Sequence, residues 1–594
     1  MTMITRWHFR TRLSISHLIS SRLFGHHILQ FSMNRLLALL VFSIGCTTLH
    51  AQFQEKNLTT EYSLKLHQEV ANNNYQGGLR YIQLIQEADS LSYDAILDCI
   101  SCFVNLNLYE EGIRFCDTRQ KLEPQNDYLI FYATKGQLFY LMGKNEESAF
   151  WLEEYIDQVS SEPVESISPF YVMCATALYK AYRFEKAEKI FDKYFSMVLD
   201  DNNHIISGLR LTTETIGYEL YDYAYCCFYQ GKEQKGLKIL SIAKSYGDFN
   251  AIQDYNKLIN SKTFANNKEP NRKDIQSYNR FLKKRGTFEE LSKVNVNLFW
   301  ESVRLYSKEY RKIEKALSKK NIDNSLKESV NEYNRLSQSF ESNRPDKFSP
   351  GQFTENLLDD IKQALGIYST GVQDIYIFLS SQTNAFSAPD GYIYLTSDLV
   401  SEFHYDKNLV IPVCAHEVAH YICKHILAQA WATARKEEEN RGWAALTISL
   451  QNLILIGGDI YAASQGATVR EMDPDAYSRN NQAIINFFDT RSYFYGFQYS
   501  REQELEADLI AYRFLEAIGL GGYAMIMALE MLNDPSDNQE DIATNDHPTT
   551  QYRIEFLKYI YALEHQNIEN DQKQEQVVSV DDSYRQYFDA HAQK

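Results

Sequence analysis

From Phe53 to about Tyr255, apolar residues recur at helical spacing, tyrosine is abundant and long alternating runs are absent, so the stretch predicts a succession of helices. KTFANNKEPNRKDI at 262–275 is polar, carries Pro270 and reads as a linker. Helical patterning with dense charge resumes from Ser277 to Leu336, and ESNRPDKFSPGQ at 341–352 breaks it again. The texture then changes. DIYIFLSS at 374–381 and GYIYLTSDLV at 391–400 predict two short strands, with Pro389-Asp390-Gly391 as a turn signal between them. A largely apolar helix follows, containing VCAHEVAHYICKH at 413–425, with Pro412 expected to mark a first turn or a kink. A later segment, YSREQELEADLIAYRFLEAIG, is strongly helical and ends at Gly519, which reads as a C-cap. The apolar run at 442–459 is short for a bilayer span and is interrupted by Ser449, Gln451 and Asn452. It reads as a buried or membrane-grazing helix.

The first helical stretch carries a weak repeat. A small residue follows a polar turn, and an apolar residue follows four positions later: Gly78 before Ile82, Gly112 before Cys116, Ser148 before Leu152, Ala187 before Phe191 and Gly236 before Leu240. The interval starts at 34 residues and lengthens along the chain. Gly136, Phe139 and Gly143 stand at fitting offsets inside one unit. Small side chains of this kind let two helices cross closely. The stretch therefore resembles a tetratricopeptide array, which implies stacked helix pairs and a groove able to hold an extended peptide or a protein partner. An irregular helical domain without a groove is the other reading.

Composition narrows the classes. A chain of 594 residues exceeds one ordinary core, and 44% hydrophobic with 23% charged residues is globular. The formal net charge of −18 argues against a general nucleic-acid binder. Met1 to His27 is basic and lacks acidic residues, and Met33 opens MNRLLALLVFSIGCTTLHAQ. Arg35 followed by the short apolar run Leu36–Gly45, with Ala51 before a plausible cleavage point, reads as a secretory signal starting at Met33; a transit peptide is the alternative. Cys46 after Gly45 is an optional lipoprotein acylation site. These features predict an exported chain, periplasmic or outer-membrane-associated. The eight cysteines beyond Cys46 are scattered through helical patterns and read as small buried hydrophobes.

The chemistry concentrates in two helices. His416 and His420 are four apart, so both imidazoles can face one ion, and Glu417 is placed to take a proton from an attacking water. A bland surface helix with two solvated histidines is the competing reading, and the apolar neighbours weigh against it. A catalytic zinc usually takes three protein ligands. SREQELEAD offers the third: Glu504 and Asp508 share a helix face, with Glu502 and Glu506 as rivals. Asp508 could orient a liganding histidine through its other ring nitrogen. Cys423, seven after His416, is either a competing ligand or core packing. His425 is not read as a ligand.

HEVAHYICKH, YSREQELEAD and HPTTQYRI at 547–554, preceded by NAFSAPDGYIYLT, together resemble the HtpX/BepA/Oma-type zinc metallopeptidases, metallopeptidase family 48. The similarity covers about 350–565. It implies one Zn2+ per chain held by His416, His420 and Glu504, Glu417 as general acid/base, Asp508 behind a ligand, and His547 and Arg553 approaching the site. His547 is then the first and Arg553 the second choice of oxyanion donor. The edge at Asn384, Ala385, Phe386 and Ser387 would align an extended substrate strand. Family members of the BepA type place tetratricopeptide repeats after the protease, whereas here they precede it.

The resulting expectation is a mainly α chain: an N-terminal helical-repeat array and a C-terminal α+β zincin-type catalytic domain with a small sheet. The boundaries are a targeting segment at 1–52, repeats at 53–260, a linker and helical bridge at 261–345, the metallopeptidase domain at 346–565 and a polar tail at 566–594. The expected function is hydrolysis of peptide bonds in unfolded or misassembled proteins, with the repeats recruiting substrate or a protein partner and membrane association possible. A peptide-binding scaffold or holdase with a latent protease is the alternative.

Overall fold

A computed structural model describes residues 59–86, 91–122, 129–159, 164–209, 211–263, 296–348, 351–380, 383–440, 500–533 and 550–571. The targeting segment, Cys46, the apolar run at 442–459, His547 and the polar tail beyond 571 lie outside these residues, as does the predicted linker beyond Thr263. Two compact units emerge, one made of residues up to Cys227 with Lys232–Ala251, the other of Phe228–Gly231 with Ile252 onward.

Among the described residues, the first unit is helical, apart from one isolated bridge between Leu199 and Ile205. Its described helices are α1 (Thr59–Ala71), α2 (Tyr75–Ile85), α3 (Tyr93–Asn105), α4 (Tyr109–Leu122), α5 (Leu129–Leu141), α6 (Asn145–Gln158), α7 (Val164–Lys180), α8 (Phe184–Val198), α9 (Thr213–Tyr229, to Cys227) and α10 (Glu233–Ser245). They pack as successive hairpins, the tetratricopeptide-like arrangement expected from the repeat. One device ends the first helix of five hairpins. Asn73, Asn107, Gly143, Tyr182 and Gly231 all have positive φ. In each case the next residue's N–H reaches back five positions to a carbonyl, as in Asn74 to Glu69 at 2.8 Å and Lys144 to Phe139 at 2.9 Å. This left-handed cap satisfies a carbonyl that the helix end would otherwise leave bare.

Each left-handed residue stands five before one of the small residues of the repeat. The turn therefore delivers the small residue to the place where the second helix crosses its neighbours. A Cβ on Gly78 would sit 2.6 Å from the Cys102 sulfur, and one on Gly136 would sit 2.5 Å from Leu152 Cγ. The Ser148 hydroxyl is small enough to enter the same crossing and donates to the Gly136 carbonyl at 2.8 Å. The eight cysteines beyond Cys46 are buried free thiols, in line with their reading as small hydrophobes.

The second unit contains α11 (Phe249–Thr263, from Ile252), α12 (Val296–Tyr306), α13 (Lys308–Leu317), α14 (Asn324–Ser342), α15 (Gln352–Leu365), β1 (Asp374–Phe378), β2 (Ala385–Ser387), β3 (Tyr392–Thr396), α16 (Ser397–Glu402), α17 (Lys407–Ile422), α18 (His425–Asn440), α19 (Arg501–Ala517), α20 (Tyr523–Leu532) and α21 (Thr550–Asp571). Helices α12–α14 fall where a helical bridge was expected, yet they pack inside this unit. Leu336 and Phe340 of α14 join Phe378, Phe386 and Tyr394 of the sheet in one core, and Ile313 and Leu326 pack with Leu427 and Trp431 of α18. Trp300 of α12 is buried, stacks on Phe514 and donates to the Leu365 carbonyl at 2.7 Å.

The sheet has the order β1-β3-β2, with β1 parallel and β2 antiparallel to the central β3. The turn predicted at Pro389-Asp390-Gly391 joins β2 to β3. Gly391 takes φ 86°, where a side chain would be strained, and donates to the Ala388 carbonyl. Arg344 braces this corner, donating to Asp390 and Tyr394 and lying 3.7 Å over the Tyr392 ring.

Candidate metal centre

Helix α17 runs through the middle of the second unit's core. Asp406 caps its start by accepting from the Asn408 N–H at 2.9 Å, and every residue from Asn408 to His420 is buried. The helix continues across Pro412, which stands in its second turn rather than its first. A surface helix with solvated histidines is therefore excluded: His416 is 6% exposed and His420 not at all. Helix α19 packs against it. Ser500 starts α19 with a capping box, accepting from the Gln503 N–H while the Gln503 side chain accepts from the Ser500 N–H. Ile518 and Gly519, the latter at φ 85°, end the helix, as the sequence pattern indicated.

This packing brings together His416, His420 and Glu504, whose ligand atoms all lie within 4.8 Å of one another. The two Nε2 atoms are 2.9 Å apart, His416 Nε2 is 3.5 Å from one Glu504 oxygen and His420 Nε2 is 3.7 Å from the other. Ligands about 2.0–2.1 Å from a tetrahedral zinc are separated by roughly 3.3 Å, which these spacings bracket. The donor set of two imidazoles and a carboxylate, all buried, suits a borderline metal such as zinc. Of the rival carboxylates, Glu502 is exposed and Glu506 faces His425 instead. Cys423 is buried outside the cluster.

Asp508, one turn beyond Glu504, is fully buried and lies 2.8 Å from His416 Nδ1. Arg553 of α21 forks onto Asp508, with Nε donating to Oδ2 at 2.7 Å and Nη2 to Oδ1 at 2.6 Å. The same guanidinium reaches Glu504 at 3.4 Å. Arg553 thus lies at the centre, and Asp508 takes two of its N–H groups.

Glu417 is buried, and its Oε2 accepts the Ser387 N–H at 2.7 Å. Ser387 belongs to β2, the outer strand. Asn384 and Ala388 bond to β3 through their main chains, so by alternation the main-chain groups of Ala385 and Ser387 point away from β3. The Phe386 side chain is buried and stacks on Tyr394. Of the expected substrate edge, Ala385 and Ser387 thus offer main-chain groups beside Glu417, while Asn384 and Phe386 hold the strand in place. The Ser387–Glu417 bond joins residues thirty apart, and no pattern in the sequence signals it.

The electrostatics follow from burial beside fixed charge. Burial alone would raise Glu504 and Asp508, but Arg553 and the neighbouring imidazoles outweigh it, holding Glu504 well below the carboxylate range and Asp508 at about 2. Burial and Arg553 oppose a charge on His416, yet Asp508 and Glu504 raise it to about 9. His420, buried next to His416, is pushed well down. Burial lifts Glu417 to about 7, where a carboxyl can both accept and donate a proton near neutrality.

Residues 352–561 match the model of peptidase family M48. This segment is a peptidase family M48 domain. The family indicates a metallopeptidase, and the matched segment contains the residues of α17 and α19 that could bind a metal. The search of curated proteins gave no match. Among solved structures, two MamA structures, designated AMB-1 and MSR-1, are each 14% identical with a TM-score of 0.26; each covers 32% of this chain, and 92% and 97% of their own chains respectively. Among the described residues, no helix is long and apolar enough to cross a membrane.

Proposed function

We propose that the chain is an exported zinc metalloendopeptidase acting on extended segments of unfolded or misassembled proteins, with its helical array recruiting substrate or a protein partner. The observation that carries this reading is the convergence of His416, His420 and Glu504 within 4.8 Å, with Glu417 in the next helical position after His416. His416, His420 and Glu504 would hold one zinc, which supplies a Lewis acid for the attacking water and the scissile carbonyl. Glu417 takes the proton of that water and passes it to the leaving amine. Its bond to the Ser387 N–H keeps the carboxylate aimed between β2 and the ligands. The main chain of Ala385 and the carbonyl of Ser387 lie where an extended backbone would pair, which favours unfolded segments over any one sequence. Arg553 and His547 are the candidates to stabilise the oxyanion, and Arg553 also locks Asp508 behind His416.

Export rests on the basic flank and apolar run at Arg35–Gly45, with periplasmic or outer-membrane-associated residence and optional acylation at Cys46. The test of the enzymatic reading is metal content and casein cleavage of the mature chain beside Glu417→Gln and Glu504→Ala. One zinc per chain is expected, with cleavage falling about 10²–10⁴-fold in the first variant while zinc is retained, and zinc lost in the second. No bound metal under zinc-replete conditions would overturn the reading.

A further inference from the structure

His425 takes no part in the metal-binding group, yet it is completely buried beside it. Lys424, at φ 57°, takes the left-handed conformation between α17 and α18, so the chain turns and the first residue of α18 folds back against the end of α17. The result is a contact of 2.9 Å between His425 Nδ1 and His420 Nδ1, with the rings nearly perpendicular at 77°. On its far side, His425 Nε2 lies 3.3 Å from Glu506 Oε2.

The order of donors along this chain follows from its end. An ionised carboxylate only accepts, so Glu506 takes the Nε2–H of His425. A neutral His425 then has a lone pair at Nδ1, which accepts the Nδ1–H of His420. His420 is left with its lone pair on Nε2, the atom that faces Glu504 and His416. Asp508 imposes the same tautomer on His416 through Nδ1 at 2.8 Å. Helix α19 would thus serve the centre three times: Glu504 as ligand, Asp508 behind one histidine, and Glu506 acting through His425 behind the other.

We propose that His425 and Glu506 are positioning residues that fix the tautomer and ring orientation of His420 for metal binding. The inference rests on the metallopeptidase reading above. Partners of this kind typically contribute 10–100-fold to metal affinity.

The test measures the zinc dissociation constant of the full mature chain by chelator competition, the visible spectrum of its cobalt(II) form, and urea unfolding of the metal-free chain. The variants are His425→Leu, His425→Gln, Glu506→Gln and, as control, His420→Ala. His425→Leu is expected to bind zinc about 10–100-fold more weakly, with an altered cobalt spectrum. His425→Gln, which can still accept from His420 and donate to Glu506, should recover most of the affinity and the native spectrum. Glu506 is about a quarter exposed, so Glu506→Gln should leave metal-free stability unchanged while weakening zinc. Wild-type affinity in both His425→Leu and Glu506→Gln would overturn the inference, as would a glutamine variant no better than the leucine one. If His420→Ala itself bound zinc like the wild type, the metal-site reading would fail. If it lost zinc while His425→Leu did not, only the positioning role would fail.

Discussion

Asp508→Asn is the most informative change to the metal centre, because it alters one atom and two neighbours. Asp508 is fully buried, and its Oδ1 serves both His416 Nδ1 at 2.8 Å and Arg553 Nη2 at 2.6 Å, while Oδ2 takes Arg553 Nε at 2.7 Å. An asparagine can keep the oxygen shared by His416 and Nη2, but its NH2 then faces the Arg553 Nε–H, and the negative charge is gone. Losing one charge-assisted bond costs about 1.5–3 kcal/mol. Stripping a buried cation of its whole partner would cost about 3–5 kcal/mol, but Glu504 still stands 3.4 Å from Arg553. The metal-free M48 domain should therefore lose about 2–4 kcal/mol. Zinc affinity should fall about 10–100-fold, since the His416 imidazole loses an anionic partner.

Urea unfolding of the metal-free chain reads the first effect and chelator competition the second. The double variant Asp508→Asn/Arg553→Met removes the poorly paired guanidinium, so it should be more stable than the sum of the single changes by roughly 1–3 kcal/mol. Wild-type zinc affinity in Asp508→Asn, together with additive stabilities, would refute the argument that Asp508 couples Arg553 to the ligand.

Two further outcomes concern the helical array. Gly136→Val should destabilise the first unit by about 1–3 kcal/mol, because even a Cβ there would lie 2.5 Å from Leu152 Cγ and 3.2 Å from a backbone nitrogen; circular dichroism melts check it, and an unchanged melt would mean that the crossing yields. Glu219, buried in α9, has its carboxyl raised to about 8 by burial, against the bond it accepts from Tyr194 at 2.5 Å and with Asp222 adding to the rise. A raised acid stays protonated in the folded state while the unfolded chain ionises near 4.5. Its stabilisation is thus present below the unfolded value and is lost as pH climbs through about 8, on the order of a few kcal/mol. Glu219→Gln should flatten that loss in urea titrations between pH 5 and 9, and an identical pH slope in both proteins would count against it.

The chain's own pattern determined much of this protein. Helical spacing from Phe53 onward, the small residues at 78, 112, 148, 187 and 236, and the turn at Pro389-Asp390-Gly391 are local signals, and local backbone preferences respond to them. The same holds for His416, Glu417 and His420, because four-residue spacing on one helix suffices to aim two imidazoles at one point. The choice of Glu504 over Glu502 and Glu506 was decided by tertiary packing, since all three sit on one helix and only its rotation against α17 selects among them. The left-handed caps five residues before each small residue were also hidden, because asparagine, glycine and tyrosine share that conformation without sharing a composition. Packing likewise moved α12–α14 from an expected bridge into the core of the second unit. It set Arg553 on Asp508, the Ser387 N–H on Glu417, and His425 between His420 and Glu506. These contacts join residues from 5 to 81 positions apart across separate elements. Long-range hydrogen bonds of this kind depend on how helices and strands dock, and one-dimensional periodicity carries no record of that docking.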